Sequence, residues 1–162
     1  MVPIVVLAVV AIVLFAVAFV SKRRFGLLGL ALTAGATLST IWSYDAGLIV
    51  SSLGVLPEGV ITQAATQSLV VLLPAILLLF HGYAYKKIHS RIIGSLLFTV
   101  LALAFLIEPL SYTLPLDGVG GQVYSTIRYY KDVIISAGVI LAVIDIFFTK
   151  PVHLAEKEKK KH

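Results

Sequence analysis

MVPIVVLAVVAIVLFAVAFVSKRR, residues 1–24, shows the pattern that decides the fold of this chain. The first 20 residues carry no charged side chain, and a basic cluster follows them directly. An apolar run of about 17–25 residues is long enough to cross the hydrocarbon core of a bilayer as a helix. A helix is expected because hydrocarbon offers the backbone no hydrogen-bonding partner, so the segment must satisfy its own N–H and C=O groups. The stretch therefore predicts a membrane-spanning helix. It lacks the basic start and the small-residue cleavage pattern of a signal peptide, so we expect it to be retained.

The same pattern recurs along the chain. Hydrophobic residues make up 59% of the sequence and charged residues 13%, which leaves too little polar surface for a soluble domain. Length predicts one domain over residues 1–150, followed by a Lys-rich cytoplasmic tail at 151–162. We predict an all-α fold, a polytopic bundle of five transmembrane helices at residues 2–20, 26–42, 67–85, 92–114 and 131–149.

The basic residues predict the orientation of this bundle. The loop after the first helix, the loop after the third and the C-terminus share one side, and they hold nearly all Lys and Arg residues. The opposite side holds only Arg128 and Lys131. Because Lys and Arg in short loops favour the cytoplasmic side, we predict the N-terminus outside and the C-terminus in the cytoplasm. The predicted location is the cell inner membrane, as a multi-pass protein.

The segment 46–66 follows the second predicted helix and is interrupted by Pro57. Its apolar part is too short to span a bilayer. We interpret it as an interfacial or re-entrant helix on the outer face that stops near Pro57, and an ordered outer loop without function is an equally open alternative. Residues 123–130 raise a similar question, since they could begin the fifth helix outside the membrane.

The second predicted helix carries small residues at regular spacing. Ala31, Gly35 and Ser39 recur at intervals of four, which places them on one face. A second row with the same spacing consists of Gly29, Thr33 and Thr37. Small residues allow close approach between helices in lipid. The face predicts either internal packing, which we favour, or an oligomer interface.

Three ionisable side chains fall within the predicted spans: His81, Glu108 and Asp145. Such groups are costly in hydrocarbon and are candidates for functional sites by default. At a rise of about 1.5 Å per residue, Glu108 lies near the outer surface, whereas Asp145 and His81 lie near the inner one. The two carboxylates therefore cannot form an acid–base pair.

Each of these residues also has a structural interpretation, which we favour. Glu108 precedes Pro109, where a kink admits water, and its carboxylate could pair with Arg128 or Lys131. An ionised carboxylate at the level of Asp145 is costly without a partner.

For Asp145 we predict a hydrogen bond from His81 or a salt bridge from Lys86 or Lys150. This prediction brings the third and fifth helices into contact at the inner end of the bundle.

The sequence lacks the motifs of known catalytic and cofactor sites. Cys is absent, which excludes disulfides and thiolate metal sites. It contains no zinc-protease, nucleophile-elbow or P-loop motif, and its carboxylates are not clustered for two metals. We therefore predict no enzyme activity, no catalytic residue, no cofactor and no metal site. The net charge of +5 comes without an aromatic platform or motif for bases, so nucleic-acid binding is not predicted.

Two Gly-containing junctions carry a resemblance to a known family. RRFGLLGL at residues 23–30 leads into the second helix, and RIIGSLL at residues 91–97 follows the basic loop after the third. In this layout, residues 1–106 resemble the bacterial colicin V production family of small inner-membrane proteins. The family usually has four spans and a Gly-plus-basic step in its fourth helix, whereas this chain reads FTVL at residues 98–101 and has a fifth predicted helix. The resemblance implies a non-enzymatic protein linked to export or the envelope, with no catalytic residues to carry over.

Three classes of function stay open. The leading hypothesis is a non-enzymatic subunit or scaffold of a membrane or envelope complex, because loops are short and small-residue faces favour helix association. The alternative is a small oligomeric channel or transporter, for which helices broken near the midplane are typical; Pro74 is the only proline deep in a span. The second alternative is a lipid-modifying enzyme, which needs convergent polar groups. The expected partners are the lipid bilayer and either further copies of this chain or other membrane-protein subunits.

Overall fold

The computed structural model describes residues 2–42, 45–52, 54, 59–80, 85, 87–111 and 118–148. Within these ranges the chain is almost entirely helical and contains no β-sheet, which confirms the predicted all-α class. The helices are α1 (Val2–Ser21), α2 (Phe25–Ile41), α3 (Asp45–Ser52), α4 (Val60–Leu79), α5 (Ile88–Ser111) and α6 (Gly118–Phe147).

Three of these helices are long and apolar enough to cross a membrane: residues 4–21 of α1, all of α4 and all of α5. The helix α2 is also apolar but has only 17 residues. The helix α6 has 30 residues and carries Lys131, Asp132 and Asp145 along its length. The described helices are those of a membrane protein, and three of them meet the length and composition of a span.

The helix α2 lies at the centre of the bundle. It packs on α4, α5 and α6, while α1 packs mainly on α5 and α3 packs on α4. The largest fully buried side chains come from α2 and α5: Phe25, Leu28, Leu32, Leu101 and Ile107. Large apolar side chains also cover the outer surface, as expected of a bundle whose solvent is lipid.

The row of small residues on α2 faces the inside of the chain in its first two members. Ala31 and Gly35 are buried, and the Gly35 backbone lies directly against α4. A Cβ atom on Gly35 would lie 2.8 Å from the carbonyl carbon of Val71 and closer still to its oxygen. Glycine is therefore what lets α2 and α4 approach this closely. Ser39 lies one turn further on and lines a cavity described below.

Two helices begin at least seven residues before their apolar runs predict. The helix α4 begins at Val60 instead of residue 67, and its polar first turns bury Thr62 and Thr66. The Thr66 hydroxyl donates to the Thr62 carbonyl at 2.8 Å, which provides a partner for that polar group inside the bundle. Because apolar runs alone mark spans, such hydroxyl-containing turns are missed from sequence.

The helix α6 begins at Gly118 instead of residue 131, and it contains no proline. Its early part packs on the bundle, since Tyr124 is buried beside Leu7 and Ile107. Residues 123–130 are therefore a continuous part of α6, and α1 and α5 cover one face of them.

Other boundaries differ less. The helix α4 ends at Leu79, before the predicted end at residue 85, while α5 covers Ile88–Ser111 instead of residues 92–114. In the segment 46–66 the structure describes α3, which ends at Ser52. Pro57 and the tail at 151–162 lie outside the described residues.

Candidate functional site

Polar side chains gather at two opposite ends of the bundle. One end, here named the Asp145 end, contains the start of α2 and the end of α6. The other, the Glu108 end, contains the last turns of α5 and the middle of α6. The two carboxylates are therefore far apart along the helix axes, as the rise per residue predicts.

At the Asp145 end, the Asp145 carboxylate binds the N-terminus of α2. Its Oδ2 atom accepts a hydrogen bond from the Gly26 N–H at 2.9 Å and another from the Tyr85 hydroxyl at 3.4 Å. The Tyr85 oxygen in turn accepts from the Phe25 N–H at 3.0 Å. The first N–H groups of a helix have no partner within it and carry a partial positive charge, so a carboxylate stabilises them.

Tyr85 is held in place from several sides. Its backbone N–H donates to the Lys22 carbonyl at 2.8 Å, its ring lies against Gly94 of α5, and the Arg24 guanidinium lies 5.6 Å from the ring centroid. Burial raises the pKa of the Tyr85 hydroxyl, the hydrogen bond from Phe25 lowers the pKa, and the charge of Asp145 raises it. The hydroxyl therefore remains protonated at neutral pH and can donate to the carboxylate.

Two arginines bind helix C-termini at the same end. The Arg23 Nε and Nη2 atoms donate to the carbonyls of Leu79 and Phe80, both at 2.9 Å, where α4 ends. The Arg91 Nε atom donates to the Phe19 carbonyl in the last turn of α1, and its guanidinium lies 3.9 Å from the Phe19 ring centroid. A cation at a helix C-terminus is favourable for the same reason that an anion is at an N-terminus.

The Asp145 end is thus a structural clamp that joins helix termini to one another. The predicted partners of Asp145, namely His81, Lys86 and Lys150, lie outside the described residues. The predicted packing of the third and fifth spans, α4 and α6, is not among the substantial helix pairs of the described chain. Instead α6 reaches the start of α2, because the carboxylate can approach a glycine N–H there.

At the Glu108 end, the carboxylate forms an ion pair with Lys131 of α6. This is one of the two cations that the sequence predicts for it. The Glu108 side chain is 57% exposed and that of Lys131 is 21% exposed. Pro109 follows Glu108 within α5 and is buried. The pair therefore joins α5 to α6 at the surface of an opening, where both charges remain accessible.

That opening is a cavity of about 570 Å³, and it is called the Glu108 cavity here. All four of α2, α4, α5 and α6 contribute to its wall. Its polar lining consists of Thr33, Thr37, Ser39, Thr40, Gln67, Glu108 and Lys131. Pockets for small molecules in proteins are of this size, and a few convergent polar groups give them specificity.

Three of the four α2 hydroxyls in this wall share one hydrogen-bonding pattern. Thr33, Thr37 and Thr40 donate to the carbonyls one turn earlier, of Gly29, Thr33 and Ala36, each at 3.0 Å. A hydroxyl has one proton and two lone pairs, so these oxygens remain acceptors only. Within the described chain, the Gln67 amide makes no side-chain hydrogen bond and stays free for a ligand.

The sequence identified only some of these residues as candidates. The sequence singles out Glu108 as a candidate and Lys131 as a possible partner. It places Thr33, Thr37 and Ser39 in the rows of small residues, and it does not single out Gln67. A glutamine at the start of the predicted third span was the signal available. Which helices face one another could not be read from the sequence, so the convergence of these groups became visible only in the fold.

Among the described residues, no group of three His, Asp or Glu side chains is placed to hold a metal ion. No protein-family model matches the chain, and neither a curated protein nor a solved structure gives a match. The resemblance to the colicin V production family thus stays a prediction from layout and two short junctions.

Proposed function

We propose that this protein is a multi-pass membrane protein that binds a small polar solute in the Glu108 cavity and acts as a small channel or transporter. The observation that carries the proposal is the cavity itself. It brings an ion pair, three threonines and a glutamine amide together in the wall of one opening at the surface of an otherwise apolar bundle.

The contrast between the two ends supports this function over a purely structural one. At the Asp145 end, Asp145, Arg23 and Arg91 each bind a helix terminus and so hold the fold together. At the Glu108 end, the threonine oxygens and the Gln67 amide have capacity left for a ligand. Polar groups are costly within a membrane, so those that the fold does not use point to a solute.

The proposed arrangement has five membrane crossings, by α1, α2, α4, α5 and α6, in the inner membrane with the N-terminus outside and the C-terminus in the cytoplasm. The basic residues support it, because Arg23 and Arg91 both lie at the Asp145 end. In this orientation the Glu108 cavity opens toward the outer side of the membrane.

The test is solute flux into proteoliposomes that contain the purified chain. A panel of radiolabelled amino acids, polyols and phosphodiesters covers the polar solutes that fit. We expect at least one to enter faster than into protein-free vesicles. Thr37→Trp fills the cavity and should stop this flux, whereas Leu38→Trp, at an exposed position next to it, should not. If no solute enters or binds, or if both variants behave alike, the proposal is wrong.

A second candidate is a subunit or scaffold of a membrane complex, formed with further copies of this chain or with other membrane proteins. It is favoured by α1, which exposes a nearly continuous apolar face that includes Val5, Val9, Ile12 and Val13. Crosslinking in native membranes from cysteines at Val9 and Val13 tests it. A strictly monomeric chain that captures no defined partner would rule out this role.

A further inference from the structure

The charges of the Glu108 cavity restrict the solutes that it can hold. Glu108 and Lys131 lie together in the wall formed by α5 and α6, so the pair is neutral overall. A solute with a single charge would be attracted by one member and repelled by the other at similar distance. A solute that carries both charges can bind each member at once, with its cation at the carboxylate and its anion at the ammonium.

The three threonines in the wall formed by α2 add a second restriction. The hydroxyl protons of Thr33, Thr37 and Thr40 are used in bonds to the backbone of the same helix. Their oxygens can therefore accept hydrogen bonds from a ligand but cannot donate to it without giving up those bonds. A primary ammonium group has three N–H donors for these threonine oxygens, whereas a quaternary ammonium group has none.

We propose that the Glu108 cavity binds a small zwitterion that carries a primary ammonium group. The ammonium lies between Glu108 and the oxygens of Thr33 and Thr37, and the anionic group lies at Lys131. This proposal rests on the proposed function and names the chemical class of its solute. The volume of about 570 Å³ accommodates either a free zwitterion or the polar headgroup of an aminophospholipid.

The experiment compares glycerophosphoethanolamine with glycerophosphocholine by calorimetric titration of the full chain in detergent. Both compounds are zwitterions, and they differ only in the methyl groups that replace the N–H donors. We expect the ethanolamine compound to bind at least tenfold more tightly. The double variant Thr33→Val, Thr37→Val keeps the side-chain shape but removes the oxygens, so it should reduce this affinity to that for the choline compound.

The matched control is Thr126→Val on α6. Thr126 makes the same kind of bond, to the Gln122 carbonyl at 2.8 Å, but it lies outside the Glu108 cavity. Its substitution should leave both affinities unchanged. If Thr126→Val lowers the affinity as much as the double variant does, the assignment of the ammonium to the α2 oxygens is wrong.

A further arm distinguishes the two sources of the ligand. In nanodiscs of mixed phosphatidylethanolamine and phosphatidylcholine, selective retention of phosphatidylethanolamine by the chain in native mass spectrometry indicates a lipid headgroup. Binding of the free compound without lipid retention indicates a soluble solute.

A failure of this inference can be distinguished from a failure of the proposed function. Equal binding of the two compounds, or binding of a polyol such as erythritol but of neither zwitterion, overturns this inference and leaves the proposed function standing. The absence of binding for every solute, free or lipid, overturns both.

Discussion

The carboxylates of Asp145 and Glu108 have different binding partners and different exposure. Asp145 binds a helix N-terminus, where the N–H groups of α2 need an acceptor, and no other described acidic side chain binds there. Glu108 binds a lysine at the edge of a cavity and keeps more than half of its side chain exposed. The sequence could predict the depth of both residues from the rise per residue. It could not predict that the N–H of Gly26 would be the partner of Asp145. Nearly every residue has a backbone N–H, so residue types do not show which of them lies beside a carboxylate.

Replacing Asp145 tests the structural clamp. Asp145→Leu leaves the N–H of the buried Gly26 without an acceptor, which costs about 1–3 kcal/mol of unfolding free energy. Asp145→Asn should cost less, since the amide oxygen can still accept. The measurement is thermal stability in detergent, with Asp132→Leu at an exposed position of the same helix as the control. An Asp145→Leu variant as stable as the wild type would show that this bond does not support the fold.

Replacing Glu108 should change stability little but lower the affinity for the ligand strongly. Glu108→Gln removes the charge from an accessible ion pair, which changes stability by only about 0–1 kcal/mol. The same change removes the negative charge that we assign to a bound ammonium, so the affinity for glycerophosphoethanolamine should fall at least tenfold. Titration and thermal stability are measured on the same samples. A large loss of stability with unchanged affinity would make Glu108 a structural residue.

The helices show what an apolar run can and cannot reveal. The ends of α1 and α2 fall within one residue of prediction, because charged residues bound both apolar runs closely. The starts of α4 and α6 fall well before prediction, because their first turns contain threonine, glutamine, glycine and tyrosine. Such residues are buried here by neighbouring helices and by bonds within their own helix. Only the packing partners decide whether such a turn remains helical.

At Gly35 the helices α2 and α4 approach so closely that no methyl group fits between them. In Gly35→Ala the new methyl group would overlap the Val71 carbonyl, which is backbone and cannot turn away. We expect a loss of about 1–3 kcal/mol or more in stability, as for other overpacked cores. Gly59→Ala is the matched control, since a Cβ atom there meets nothing within 4 Å. Equal melting temperatures for the two variants would mean that the helices can separate without cost.

At the level of the entire molecule, composition was enough to predict a helical membrane protein, and the pattern of charges was enough to predict an orientation. The arrangement of the helices around α2 was not predictable, because all of them are apolar on most faces and the sequence does not rank their contacts. The Glu108 cavity depends on that arrangement. It lies where four helices meet: α2 contributes four of its polar residues, and α4, α5 and α6 contribute one each.

The predicted orientation places the two ends of the bundle on opposite sides of the membrane, and single cysteines test this directly. The chain contains no cysteine, so Lys87→Cys and Ser125→Cys each introduce one thiol, both at exposed positions. Lys87 lies at the start of α5, next to the basic residues that favour the cytoplasm, and Ser125 lies in the early part of α6. A charged thiol reagent added to intact cells should label the cysteine at 125, and the cysteine at 87 should react only after the membrane is opened.

Val9→Cys, on the apolar outer face of α1, should react in neither case, because a charged reagent does not enter hydrocarbon. Labelling of positions 87 and 125 from the same side would contradict the five-span arrangement, because an odd number of crossings separates the start of α5 from the start of α6.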